Sequence, residues 1–328
     1  MLKVFTAFSG YDSQCMALDS AGIDYDLVGW SEIDKWAILA HNAVYPQYEN
    51  RNYGDISQID WKEVPDFDLF TYSFPCTNIS SAGRTEGLER GSGTASSLLW
   101  ECERAIREKR PKYLLMENVK NLASKKFMPY FEEWLKVLDE LGYFSTWKIL
   151  DASDYGVPQH RERVFCVSVL DEWPFQFPEP RKLEKCFSDY LVPDEDSTRA
   201  DQRSGLPEII DKARDTYDAT PKEKKIIKLG NRLASGYCHG KVIHPYGVAP
   251  TVMENHGETT LVMVKTKEGE LIVRKTSPYE CFALMGVSDE NIKKIMSAVP
   301  YISRQLILAG NSIVVDVMVA IFKKLFKK

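Results

Sequence analysis

The 328-residue chain has no CxxC pair among its seven cysteines, so the sequence indicates neither a zinc site nor a disulfide framework. Cys15, Cys76, Cys102, Cys166, Cys186, Cys238 and Cys281 are instead expected to be mostly reduced and buried, and no metal is expected. An excess of positive charge is also missing. With 42 Lys and Arg against 47 Asp and Glu, the net charge of -5 requires that any nucleic-acid partner be met by locally concentrated charge. No apolar run approaches the ~20 residues of a membrane span. The opening "MLKVFTAFSG" lacks the charged start, apolar stretch and cleavage site of a secretory signal. A soluble, cytoplasmic chain is therefore expected. Internal repeats and low-complexity segments are absent too, which excludes solenoids and arrays.

What is present fits a globular chain of one large or two modest domains, with 44% hydrophobic and 12% aromatic residues. Short, nearly continuous apolar runs at 2–8, 67–74 ("FDLFTYSF"), 113–116 ("YLLM") and 164–170 ("VFCVSVL") predict strands buried on both faces. Between them, Leu98, Leu99, Cys102, Ala105 and Ile106 form one helical stripe, with Ser96 or Ser97 available as cap. Phe127, Phe131, Trp134, Leu135, Leu138 and Leu141 form another, which stops at Gly142. Both stripes read as core. Alternation of strand and helix over about 170 residues predicts an α/β fold with an open, mostly parallel sheet. Prolines cluster in "WPFQFPEPRK", and the next 85 or so residues are polar and rich in turns. The expected organisation is a catalytic domain over 1–178, a small domain over 179–264, and a hinge and C-terminal segment over 265–328 that returns to the first.

Ligands of such sheets bind at the carboxyl ends of strands. That rule singles out Ser9 and Gly10 in "FSGYDS", Glu32 in "WSEID", Pro75 and Cys76 in "SFPCTNIS", and Glu117 and Asn118 in "ENV". Cys76 has two readings, a buried structural thiol or a nucleophile. Pro75 ends its strand and so places the thiol at the crevice lip. Glu117 with Arg161 and Arg163 of "QHRERVF" suits the orientation of a planar polar substrate, and a buried Glu117–Arg163 ion pair is the alternative.

In order and spacing, "FSGYDS", "SEID", "GDIS", "SFPC", "ENV", "QHRER", "SPYECFALMG" and "GNS" resemble the blocks of the DNA (cytosine-5) methyltransferase family, over nearly the whole chain. The resemblance implies a Rossmann-like methyltransferase sheet with a second, smaller target-recognition domain. It also implies S-adenosylmethionine as methyl donor and C5 of a flipped-out cytosine in double-stranded DNA as acceptor. Cys76 matches the nucleophile that adds to C6, Glu117 the acid at N3, and Arg163 the arginine at O2, with Arg161 beside it. Phe8, Glu32, Asp55, Asn311 and Ser312 match donor-pocket positions. Gly10, Asp12, Ile33, Ile56, Pro75 and Leu98 are expected in the same pocket. Candidate DNA contacts are Ser80, Arg84 and Arg90 after the nucleophile, Arg232, Tyr237, His239 and Lys241 in the small domain, and Thr251, which with Val252 resembles a Thr-Leu pair. A monomer functionally paired with a restriction endonuclease, in a bacterial or phage setting, is the implied context.

Three departures stand out. Thr77 replaces the usual Gln after Pro-Cys, Asp12 and Ser13 replace the later glycines of the turn, and Ala95 lies where a basic residue is common. The Cys-Phe-Thr signature of the branch acting on RNA is missing, and a catalytically silent DNA-binding regulator is the reading from another class.

Overall fold

The computed structural model describes residues 1–79, 88–172, 174–193, 200, 203–233, 240–253 and 260–327. The chain divides into two compact units. The first comprises Met1–Leu150, Glu162–Glu179 and Val317–Lys328; the second comprises Asp151–Arg161 and Pro180–Asp316.

The first unit opens with β1 (Leu2–Ala7), α1 (Ser13–Ala21), β2 (Tyr25–Ser31) and α2 (Lys35–Val44). It continues with β3 (Leu69–Tyr72), α3 (Leu99–Lys109), β4 (Tyr113–Val119), α4 (Met128–Glu140) and β5 (Tyr143–Asp151). The two-residue β6 (Gln159–His160), which belongs to the second unit, precedes β7 (Glu162–Leu170). Six of these strands form one sheet in the order β2-β1-β3-β4-β7-β5. β1 runs parallel to β2 and β3, and β3 parallel to β4, whereas β7 runs antiparallel to β4. This is the expected α/β sheet.

Phe5 and Phe70 sit opposite each other on β1 and β3, with ring centroids 6.0 Å apart. Tyr72, two residues along β3, stacks on Phe70 and meets Trp134 of α4 edge-on, and Trp100 of α3 meets Trp134 in turn. This column of aromatic rings explains why both predicted stripes face inward: α3 and α4 bury their apolar sides on the same sheet face. Gly29 on β2 makes room for it, because a Cβ there would lie 2.7 Å from both the Phe5 and Tyr53 rings. The α4 stripe ends at Gly142, whose φ of +85° is a left-handed stop. The start of α3 differs from expectation. Thr94, rather than a serine, caps the preceding 3₁₀ turn Ala95–Leu98 by accepting from the Ser97 N–H.

In the second unit a four-stranded sheet contains β8 (Lys228–Asn231), β9 (Lys241–Ile243), β11 (Leu261–Lys265) and β12 (Leu271–Lys275) in the order β12-β11-β9-β8. The short β10 (Ala249–Pro250) pairs with β6 instead. Helix α5 (Leu206–Ala213) packs Leu206 and Ile209 into a core with Val242, Met263 and Val273. Then come α6 (Pro278–Ala283), α7 (Asp289–Ala298), α8 (Ile302–Asn311) and α9 (Val315–Phe326), whose last ten residues belong to the first unit. The "SPYE" start of α6 is a capping box: Ser277 Oγ accepts from the Glu280 N–H, and Glu280 Oε2 from the Ser277 N–H. Glu280 also takes a fully buried Arg274 through both carboxylate oxygens, which compensates the charge that burial would otherwise penalise. One expectation about hydropathy needs correction. Ile302–Phe326 spans 25 residues at mean hydropathy 1.9, enough by length and composition to cross a membrane. It folds as two helices interrupted near Ser312, and 67% of its apolar 18-residue window is buried within the protein.

Candidate active site

β3 stops at Tyr72, and the Pro-Cys turn beyond it is held by side chains from three other segments. Asn118 Nδ2 donates to the Phe74 carbonyl at 2.9 Å, and Ser96 Oγ to the Pro75 carbonyl at 2.7 Å. The Ile79 N–H closes on the Cys76 carbonyl at 3.0 Å, and Asn121 Nδ2 reaches the Ile79 carbonyl at 2.6 Å. Ser96 and Asn78 bond reciprocally through backbone N–H and side-chain oxygen. Ser96 therefore leaves helix capping to Thr94 because its hydroxyl is committed to this turn. Cys76 itself is a half-buried, reduced thiol packed against the core edge, while Thr77 is exposed. Sequence reasoning read Ser96 only as a possible helix cap and passed over Asn78 and Asn121, since isolated polar residues carry no periodic signal.

Glu117 lies near the carboxyl end of β4, only 5% exposed. Its Oε2 accepts from Ser73 Oγ at 2.6 Å, and its Oε1 lies 3.4 Å from Arg163 Nε. The antiparallel register pairs Val119 with Arg163 and Glu117 with Phe165, so Arg163 reaches Glu117 diagonally on one sheet face. Arg163 Nη1 donates to the Glu162 carbonyl, and among the described residues its Nη2 meets no protein acceptor. Ser73, Cys76, Glu117 and Arg163 thus gather where β3 and β4 end and β7 begins.

Arg161, two residues earlier, does something else. Its guanidinium is 3% exposed and donates to the carbonyls of Val252 at 2.6 Å and of Gly310 and Ser312 at 2.8 Å, all within the second unit. The last two belong to the end of α8, where orphaned carbonyls and the helix dipole favour a cation. Against the expectation that Arg161 touches substrate, both terminal nitrogens of its guanidinium are committed to backbone carbonyls. Gln159, fully buried, works alongside it, accepting from the Val252 N–H at 2.9 Å and donating to the Leu284 carbonyl at 2.7 Å. Thr251 donates to the His160 carbonyl at 2.7 Å. The "QHR" and "APTV" stretches are therefore stitched together. Asn311 and Ser312 close α8 in this same unit, with Ser312 Oγ donating to the Ile313 carbonyl.

After β1 the backbone enters left-handed φ at Phe8 (55°), Gly10 (58°) and Asp12 (65°). Two of these are not glycine, and such positions cost roughly 1–3 kcal/mol each. Their surroundings hold them there. Ser9 donates from its N–H to the Ser31 carbonyl and from its hydroxyl to the Thr6 carbonyl, and the Gly10 N–H donates to Glu32 Oε2 at 2.9 Å. Glu32 Oε1 takes the N–H groups of Ile33 and Asp34, and Asn52 braces the Glu32 backbone. Ile33 stands 71% exposed. Asp55 is exposed and caps a short turn through Ser57. A Cβ at Gly10 would meet nothing within 4 Å, so the turn faces open space. Phe8 and Leu98 are half-buried against the core, and Pro75 is half-buried in its turn.

Two of the residues expected in the donor pocket have buried side chains. Asp12 is wholly buried, accepting from the Cys15 N–H at 3.1 Å and Thr6 Oγ1 at 3.0 Å, with His41 Nε2 at 3.4 Å. It is the α1 cap, and burial together with Asp12 pushes the Cys15 thiol well up from its ordinary value. The Ile56 side chain is 2% exposed and belongs to the aromatic core. Among the described residues no group of three or more His, Cys, Asp and Glu is arranged to hold a metal ion.

Of the DNA candidates, Arg90 pairs with buried Glu103 at 2.7 Å and covers the Trp100 ring at 4.1 Å, so its charge is already committed. Arg232 and Lys241 flank residues 234–239 next to β8 and β9, with the Arg232 N–H on the Gly240 carbonyl. Ser80, Arg84, Tyr237 and His239 lie outside the described residues.

The family model for C-5 cytosine-specific DNA methylase matches residues 2–327. The chain is 36% identical over 383 residues to the type II methyltransferase M2.ScrFI of Lactococcus lactis subsp. cremoris, covering 100% of this chain and 99% of the relative. It is 31% identical to the type II methyltransferase M.HhaI of Haemophilus parahaemolyticus, over 97% and 92% of the two chains. The structure of the Entamoeba histolytica methyltransferase EhMeth superposes with a TM-score of 0.72 at 17% identity, covering 99% and 98%. That last likeness concerns the fold.

Proposed function

The chain belongs to the C-5 cytosine-specific DNA methylase family, and on that premise we propose that Cys76, Glu117 and Arg163 carry out methylation at C5 of a cytosine extruded from duplex DNA. The observation that carries the assignment is the gathering of a turn-held thiol, a nearly buried carboxyl and an arginine with donors to spare at one edge of the sheet.

C5 of cytosine is a poor nucleophile. Addition of the Cys76 sulfur to C6, with Glu117 as proton donor at N3, consumes the C5–C6 double bond and leaves an enamine across C4 and C5, whose C5 can attack an electrophilic carbon. Arg163 Nη2 suits the O2 oxygen, where negative charge gathers during addition. After C5 has bonded to the methyl carbon, loss of the C5 proton and elimination of the thiol regenerate the enzyme. The clamped carbonyls of Phe74, Pro75 and Cys76 hold the backbone that carries the sulfur, which supports its alignment before substrate arrives.

S-adenosylmethionine, when bound, supplies the electrophilic methyl group and is left as S-adenosylhomocysteine. The residues present fit it: the turn at Gly10 faces open space, Glu32 and Asp55 offer carboxylates for hydroxyl and amine groups, and exposed Ile33 with Phe8 offers apolar cover. Pro75 and Leu98 complete the proposed donor set in the first unit, and Asn311 and Ser312 are proposed as donor residues on the match of the "GNS" block alone. We assign target recognition to the second unit, through Arg232, Lys241 and Thr251. The protein is read as a monomer on duplex DNA that is paired with a restriction endonuclease, as the type II names of its relatives suggest.

The test is covalent capture. Duplex DNA containing 5-fluorocytosine should form a stable complex with the wild type in the presence of S-adenosylmethionine, and none with Cys76→Ser. Equal capture by both proteins would reject Cys76 as the nucleophile.

A further inference from the structure

We propose that Ser73 is a positioning residue for the acid, a hydroxyl that holds Glu117 in place through both of its protonation states; this rests on the catalytic reading of Glu117 above. The last parallel pair between β3 and β4 is Tyr72 with Met116, so Ser73 and Glu117 are the first residues beyond it, side by side. At 2.6 Å the Ser73 Oγ contact is far tighter than the 3.4 Å separation of Arg163 Nε from the other oxygen. The two partners also differ in kind. A guanidinium can only donate, so Arg163 favours the carboxylate, whereas a hydroxyl donates to a carboxylate and accepts from a carboxylic acid. An acid that gives and regains a proton in each turnover needs a partner of the second kind. Ser73 is further fixed by its place in the chain, because Asn118, the residue after Glu117, clamps the carbonyl of Phe74, the residue after Ser73. The other charged and titratable groups on these elements, among the described residues, are Cys76 on the same turn, the Lys120–Glu162 pair at the ends of β4 and β7, and Tyr72, Tyr113 and Cys166 within the strands themselves.

The experiment measures single-turnover methyl transfer from S-adenosylmethionine to duplex DNA between about pH 5.5 and 9, for wild type, Ser73→Ala, Ser73→Thr and Glu117→Gln. Removing the hydroxyl removes a donor that favours the carboxylate, so in Ser73→Ala the acid keeps its proton to higher pH. The alkaline limb of the profile should move up by about one pH unit, with a rate loss of about tenfold at neutral pH. Ser73→Thr should restore the limb and stay within about twofold of the wild-type rate. Donor binding, followed by calorimetry, certifies that each variant is folded; if Ser73→Ala fails that check, Ser73→Gly takes its place. A loss that is equal at every pH, or a limb unmoved in Ser73→Ala, overturns the inference alone, provided Glu117→Gln is inactive. Wild-type rates in Glu117→Gln would overturn the reading of the acid and this inference with it.

Discussion

Arg161 and Arg163 are two residues apart in one "RER" triplet, yet they do different work. Arg161 spreads a nearly inaccessible guanidinium over three backbone carbonyls of the second unit. Arg163, with 18% of its side chain exposed, faces a carboxylate in the first and keeps Nη2 available. Both are chosen for the same property, a planar fork of donors that never loses its charge. What separates them is the acceptors their backbones bring within reach. Loss of Arg161 should therefore be felt as stability, and loss of Arg163 as rate.

The sharpest way to break this contrast is Arg163→Ala. With its contribution made where charge develops, the turnover number should fall about a thousandfold, roughly 4 kcal/mol, while the urea midpoint stays close to wild type. A midpoint that falls with the rate would make Arg163 a second structural arginine. Arg161→Ala strands two buried carbonyls and a part-buried one and should cost about 3 kcal/mol in the denaturation free energy. Its activity per folded molecule should drop far less than that of Arg163→Ala. Gln159→Leu removes two bonds from the same seam, and a loss of about 2 kcal/mol is expected by the same measurement.

The smallest effect concerns acid. His244 is buried, with its Nε2 on the Tyr217 carbonyl and its Nδ1 facing the Tyr246 N–H. That pattern fits only the neutral ring, and burial holds its pKa below the usual 6.5. The unfolded chain therefore takes up the proton first. The stabilisation is complete above about pH 6.5 and fades as pH falls towards the folded value. Melting of the second unit, where Arg161 lies, should weaken over that interval by a fraction of a kcal/mol, about 0.5, and His244→Asn should flatten the dependence. An unchanged slope in the variant would show that another group carries it.

The sheet and the order of its parts were legible because strands buried on both faces write themselves as unbroken apolar runs, and β1, β3, β4 and β7 all do so. β5 was harder: it is mostly half-buried, with only Tyr143 and Leu150 fully inside, and its "YFSTWKILD" spreads apolar residues over both faces. Cys76, Glu117 and Arg163 were legible through position at strand ends and through the ordered blocks around them. The open alternatives for Glu117 turn out to be compatible, because the ion pair with Arg163 exists and still leaves donors free. Side-chain to main-chain bonds spanning long stretches of sequence were not legible. Nothing in "ASSLL" announces that Ser96 supports the Pro75 carbonyl, and nothing in "RER" says which arginine faces inward. Asp12 shows the converse: a residue assigned to a ligand by its place in a motif is consumed by Cys15, Thr6 and His41. Conformation matters there, since an aspartate can adopt the left-handed angle and cap its own helix where a glycine would need another cap.

The antiparallel lie of β7 against β4 has a consequence for mutational tolerance. Seven consecutive pairs, from Tyr113 with Val169 to Val119 with Arg163, act as a ruler that measures out where the guanidinium stands. Substitution along the strand leaves the graduations in place. Deletion of a single residue between 164 and 169 shifts them by one and turns Arg163 to the opposite face, taking it away from Glu117. This strand should therefore drift freely in composition over generations of the gene while its length stays fixed.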